Sequence, residues 1–170
     1  IEIALGGADL SGAQLVKATF VTVDATGATF DRAAMHNVRF VKDCKLDGAS
    51  LRSADAREAL LRGTSMVGAD LREAQLDRGD LSDCDLEGAK LGLAHAPGSM
   101  FVKSHLAKAS LEGANLMESI VARANIEGAD FRGANLFRAD MARVKGDDAT
   151  RFDEANMKYI RFVEHHPAHA

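Results

Sequence analysis

Several of the residues able to do chemistry in this chain stand at spacings that share a factor of five. Cys44 and Cys84 are forty residues apart, and Asp70, Asp80, Asp85, Asp130 and Asp140 differ by multiples of five. The six histidines comprise His36, His95 and His105, each isolated, and a cluster in "EHHPAHA" over residues 164–170. A thiol pair can form a disulfide, histidines with carboxylates can ligate zinc, and paired carboxylates can act as general acid and base. Each of these chemistries needs its groups to converge in space. Whether they do is decided by the elements that carry them.

Those elements follow from the stretch "GADLREAQLDRGDLSDCDLEGAKL" (residues 68–91), which places Leu71, Leu76, Leu81, Leu86 and Leu91 five apart. Helices repeat every 3.6 residues and strands every 2, so neither accounts for it. The column extends from Leu5 to Phe40, from Leu46 to Gly146 and from Phe152 to Phe162, with two one-residue slips. Of its 32 positions, 15 are Leu, seven Phe and four Met, so the large apolar side chain is the rule. Two residues before it stands a small side chain, as at Ala69, Ala74, Cys84 and Ala89, and between the two a polar one, usually Asp, Asn, Ser or Gln. Two inward residues flanking an outward one make a short extended piece, and the remaining two are free to turn. Four such corners close a coil of 20 residues, and the 32 units stack as about eight coils at the ~4.8 Å spacing of paired strands. The expected rod is about 35 to 40 Å long.

Units such as "GADLR", "GANLM", "GADFR" and "GANLF" resemble those of pentapeptide-repeat proteins, whose consensus is A(D/N)LXX. The resemblance covers residues 3 to 163 and implies an all-β fold, a right-handed quadrilateral β-helix. One solenoid is expected over residues 1–163 and a His-rich disordered tail over 164–170. Departures fall at Val41 to Asp43, in "AHAPGSMF" at 94–101 and in "VKGDDATRF" at 144–152, where local geometry is expected to differ.

On this register the chemistry disperses. Both cysteines take the small inward position two coils apart, about 10 Å along the rod and beyond the ~7 Å reach of a disulfide, so free buried thiols are expected. A pair of reduced thiols suits a reducing, cytoplasmic location. His36, His95 and His105 point outward on different coils, and the carboxylates, Asp9 among them, spread over all four faces. A solid rod offers no pocket in which to separate two carboxyl pKa values. Neither an enzyme nor a cofactor or metal site is expected. The net charge of −4, with no run of Lys or Arg, argues against nucleic acid or an anionic membrane as partner. No apolar stretch approaches the ~20 residues that span a bilayer. Because the chain starts at Ile1 already in register at Leu5, it is expected to be a segment of a longer polypeptide.

Cycling every fourth unit assigns the faces. The first carries Gly7, Gly27, Gly48, Gly68, Gly88 and Gly128 at one corner, expected to require positive φ. The fourth, centred on Phe20, Phe40, Leu61, Leu81, Phe101, Val121, Met141 and Phe162, has apolar outward neighbours that include Val21, Val41, Leu60, Met100, Val102, Ile120, Ala122, Ala142 and Val163. Met100, Val102, Ile120 and Ala122 form a patch with Met117 and Phe137 around the preceding corner, and monomers seldom expose such a patch unused. The reading is a non-enzymatic interaction or scaffolding module that uses Leu60, Met100, Val102, Met117, Ile120, Ala122 and Phe137 to bind protein, a homodimer being favoured. The closing segment "GANLFRADMARVKGDDATRFDEANMKYIR" resembles repeat-bearing ends of type VI secretion-associated proteins, which implies secretion as part of a larger protein. The alternative is a duplex-DNA mimic protecting DNA gyrase, as the resemblance to quinolone-resistance members implies. Against it stand the interleaved Arg32, Arg52, Arg72 and Arg132 and the small net charge.

Overall fold

A computed structural model describes residues 3–163; the tail expected at 164–170 lies outside the described residues. Strands β1 (Ile3–Ala4) and β3 (Val23–Asp24) pair in parallel, as do β2 (Thr19–Val21) and β4 (Arg39–Val41). Beyond Val41 the ladder continues as single parallel bridges whose partners lie 20 residues apart, such as Ser65 with Asp85, Asp85 with His105 and His105 with Asn125. The step becomes 21 for Asp24 with Lys45, Arg39 with Leu60, Asp130 with Arg151 and Asp140 with Arg161, so both slips are one-residue insertions. The chain is a right-handed quadrilateral β-helix. The short extended piece of each unit pairs mostly through its middle residue, because a corner every five residues leaves only three extended residues between turns.

The unit centred on Leu71 shows where the backbone N–H groups go. Ala69 N–H donates to the Met66 carbonyl at 3.1 Å, closing the corner, and Asp70 N–H donates to Ala49 of the preceding coil at 2.9 Å. Leu71 and Glu73 donate to Lys90 and Gly92 of the following coil at 2.7 and 3.1 Å. The remaining donor, Arg72 N–H, meets the Asp70 carboxylate at 3.2 Å. All five are satisfied, and the outward Asp is the cap of its own corner. The same two-residue link joins Asp9 to Ser11, Asp80 to Ser82, Asn125 to Glu127 and Asn135 to Phe137. Where Ser50 and Ser65 replace Asx, Asp31 and Asp47 of the preceding coil accept from Arg52 and Val67 instead.

Positive φ is not confined to the glycine column. The second turn residue is left-handed at almost every corner, in eleven glycines and in residues such as Ser53, Glu73, Arg123 and Lys108, the last standing within the glycine column itself at φ 57. The corner demands this conformation, and the two inter-coil bonds around it offset the ~1–2 kcal/mol a side chain costs there. "AHAPGSMF" departs in no way: Pro97 and Gly98 occupy the two turn positions that favour them, Ser99 N–H closes the corner on Ala96 at 3.3 Å, and Met100 continues the ladder. The insertion at Val41 to Asp43 is absorbed by two left-handed residues, Lys42 and Asp43. The one after Gly146 is absorbed by a turn in which Thr150 N–H donates to the Asp147 carbonyl at 3.1 Å.

Inside, Leu46, Leu51, Leu71, Leu81 and Leu86 are wholly buried, as are Phe30, Phe101 and Phe131. Stacked rings report the coil rise: 4.6 Å between Phe20 and Phe40, and 5.1 Å between Phe131 and Phe152. Two serines at the small inward position bond downward, Ser99 to the Leu76 carbonyl at 2.6 Å and Ser104 to that of Leu81 at 2.8 Å, while the buried Ser119 hydroxyl finds no partner. Layers in the first and last described coils, such as Leu10, Phe20, Phe152 and Met157, are only partly covered.

Leu81→Asp or Leu86→Asp should abolish cooperative thermal unfolding, because a buried unpaired charge has no compensation. Asp80→Asn and Asp85→Asn keep the oxygen that caps Ser82 and Glu87 and should be nearly silent, whereas Asp80→Ala should cost about 1 kcal/mol. Circular dichroism melts that gave core and outward changes the same midpoint would disprove this register.

Candidate functional site

Both cysteines, His95 and His105 are occupied structurally, whereas His36, expected to point outward, is half-buried with its Nδ1 buried and without a hydrogen-bond partner. Cys44 and Cys84 are buried free thiols on one inward column, with Thr64 between them. Cys84 donates to the Leu61 carbonyl at 2.9 Å, and burial pushes its thiol up to about 12. His95 and His105 lie 3.0 and 3.2 Å from Asp77 and Asp85, each pair standing apart on its own stretch of surface. Among the described residues, no three His, Cys, Asp or Glu side chains gather as metal ligands.

Five outward carboxylates, Asp9, Asp24, Asp55, Asp70 and Asp130, are held in the charged form by hydrogen bonds. Asp55, Asp70 and Asp130 sit below the usual carboxylate range chiefly because Arg57, Arg72 and Arg132, two residues on, donate to them through Nε at 2.7, 2.8 and 2.9 Å. Asp9 and Asp24 are lowered by hydrogen bonds from Ser11 and Thr26. In the sequence these positions read only as outward and polar. The preference for Asp and Asn over the longer Glu and Gln was the signal of a cap, since only the short side chain reaches the N–H two residues ahead.

The fourth face is where the surface changes character. Met100 and Ile120 are direct bridge partners, 36% and 38% exposed, with half-buried Val102 and Ala122 at the following corner and Met117 and Phe137 at the preceding one. Three of the expected residues stand differently. Leu60 is separated from Met100 by Asp80, which bridges to both. Ala142 is buried, not outward. Phe137 is covered on its edge by Tyr159, centroids 5.5 Å apart, with the Arg138 guanidinium 5.2 Å from its ring. Sequence reasoning also missed a shallow trough on the second face, where Gly92, Gly113 and Gly133 lack side chains beside Arg72, Arg132 and the largely exposed Leu93. It is open along its length. No helix among the described residues is long and apolar enough to cross a membrane.

Two measurements follow. Cys44 and Cys84 should resist alkylation until denaturant is added, and the intact mass should show no loss of two hydrogens to a bridge. For Asp55, Asp70 and Asp130 the folded pKa lies below the unfolded one, so their contribution is full above about pH 4 and is lost as pH falls through the folded value. The thermal midpoint should hold from neutral pH to about pH 5 and drop below about pH 4, less steeply in Asp70→Asn than in wild type.

Comparison with known proteins agrees with this geometry. Eight copies of the family described as pentapeptide repeats match over residues 5–40, 44–83, 80–117 and 121–145. No curated protein sequence matches the chain. Among solved structures, QnrB1, a plasmid-mediated fluoroquinolone resistance protein, superposes with a TM-score of 0.63 at 20% identity, over 95% of this chain and 82% of that one. HetL, a pentapeptide repeat protein involved in heterocyst differentiation regulation from the cyanobacterium Nostoc sp., superposes with a TM-score of 0.51 at 23% identity, over 95% and 84%. At these identities the two structures speak for the fold alone. The repeats matched along most of its length, wound into the coils that such repeats form, make this chain a member of the pentapeptide-repeat family.

Proposed function

We propose that the protein is a non-enzymatic interaction module that engages a protein partner through its fourth face. The observation that carries this is the exposed, directly paired Met100 and Ile120, flanked by Val102, Ala122 and Met117, on a rod whose outward positions are otherwise mostly polar. Contact with a partner removes such a patch from water, and its setting on rigid coils means that little order is lost on binding. The reading also suits the dispersal of thiols, histidines and carboxylates into structural roles. A place in a secretion-associated assembly is compatible with a binding rod, but only the likeness of the closing segment favours it.

Protection of gyrase by DNA mimicry is the second reading, prompted by the likeness to a fluoroquinolone resistance protein. Weighing against it, Asp55, Asp70, Asp130 and Asp140 are neutralised by Arg57, Arg72, Arg132 and Arg161, which leaves little continuous acidic surface. The homodimer expected from the sequence is a special case of the first reading, in which the partner is a second copy.

Val102→Lys with Ile120→Lys separates these readings. Both positions lie outside the core, so the variant should melt within a few degrees of wild type. Light scattering on the two proteins should show whether a second copy is the partner, through a dimer that the double change dissolves. A gyrase supercoiling assay with a fluoroquinolone should show no protection by either protein. Protection by the wild type would replace the interaction reading with the DNA-mimic one.

A further inference from the structure

One edge of the fourth face carries a charge pattern found nowhere else on the rod. The left-handed corner residues after Phe101, Val121 and Met141 are Lys103, Arg123 and Arg143, stacked on three successive coils and all exposed. Among the described residues none of the three pairs with a carboxylate, although nine other Arg and Lys side chains do. Among the described residues, no other outward column holds three like charges on adjacent coils. Their described neighbours do not neutralise them either: Asp83, one coil before Lys103 in the same column, is taken by Arg62 at 2.6 Å, His105 and Asn125 follow Lys103 and Arg123, and Lys145 follows Arg143 with its ammonium already 2.9 Å from Glu127. On a chain with a net charge of −4, an uncompensated column of cations beside the main apolar patch is a recognition feature more than a solubility one.

Resting on the interaction reading above, the geometry points to the partner's chemistry: an acidic amphipathic helix lying along the rod. Its apolar stripe would cover Met100, Ile120, Val102 and Ala122, and its carboxylates would meet Lys103, Arg123 and Arg143. Spacing selects a helix over an extended peptide. The cations recur at the coil rise, seen in the stacked rings as 4.6 to 5.1 Å. Helical side chains three and four residues apart advance about 4.5 and 6 Å and average close to that rise, whereas same-face residues of a strand advance about 6.6 Å and fall out of step by the third cation. Glu residues at i, i+4 and i+7 therefore match the column, with apolar residues on the adjacent stripe. A second copy fits less well, since a two-fold axis running across the rod between Met100 and Ile120 would set the cation column against itself.

The test uses the full chain and a synthetic helical peptide of about 20 residues, long enough to hold a helix in water, with Glu along one stripe and Leu along the next. Its counterpart has every Glu replaced by Lys. Fluorescence anisotropy should show saturable binding of the Glu peptide to wild type and none of the Lys peptide. Binding should weaken about tenfold or more in Lys103→Glu/Arg123→Glu/Arg143→Glu and in high salt. The milder Arg123→Gln/Arg143→Gln guards against misfolding of the triple variant and should weaken binding in the same direction. Failure of the Glu peptide to bind, indifference to the charge changes, or tighter binding of duplex DNA would each overturn the proposal. Met100→Lys/Ile120→Lys separates the two levels: loss of peptide binding there, with no effect of charge reversal, leaves the interaction surface standing and removes the acidic helix, while no loss in either removes both.

Discussion

Everything in this protein hangs on the parallel backbone ladder between residues 20 apart. Three of the five N–H groups in an interior unit leave their own coil, one toward the preceding turn and two toward the following one, as Asp70, Leu71 and Glu73 do. A residue inserted into one coil must therefore be expelled at a corner, because any shift carried forward would exchange the inward and outward sets. This is why the insertions at Lys42–Asp43 and after Gly146 are confined to turns, and why pairing resumes in register at Lys45 and Arg151. The ladder also sets the core. Stacking at one strand spacing superposes like side chains, so Phe20 lies on Phe40 and Phe131 on Phe152, and an aliphatic interior suffices with few aromatics.

The corners are where the fold stores its strain and where local chemistry offsets it. A left-handed residue recurs at nearly every turn, and more of these residues are non-glycine than glycine. Such a conformation persists only if surrounding bonds over-determine it, and the Asx cap is one of them: Asp70, Asp80 and Asn135 each hold the N–H of the first turn residue. Where the cap is missing, as at Ser50 and Ser65, a carboxylate from the preceding coil supplies it. The acids that a composition count would offer to a partner or to catalysis are thus committed first to the backbone, and several are committed again to arginine.

Surface character can still vary at single corners, because the inter-coil ladder holds where the Asx cap is absent, as at Met100 and Ile120. On the fourth face this freedom places Met100 and Ile120 side by side and Lys103, Arg123 and Arg143 in a column. Rigid coils convert a five-residue sequence pattern into a surface ruled at one spacing, which suits recognition of another regular element better than it suits enclosure of a small molecule.

From the sequence alone the period, the coil size, the inward column and both insertions were legible, because a strict repeat leaves one way to bury Leu, Phe and Met while pairing the backbone between coils. The free state of Cys44 and Cys84 followed from the same register. Three features needed the tertiary structure. The corner conformation was hidden because glycine marks only some of the positions that adopt it, and Lys108 or Glu73 give no local sign. The extent of the apolar patch depended on neighbours 20 or more residues away: Asp80 isolates Leu60, and Tyr159 covers the edge of Phe137. The trough over Gly92, Gly113 and Gly133 arises only when three corners stack. The repeat determined the path of the chain, since that path is fixed by local periodicity and backbone pairing. Exposure was decided by tertiary structure, since it is a property of what the next coil brings alongside.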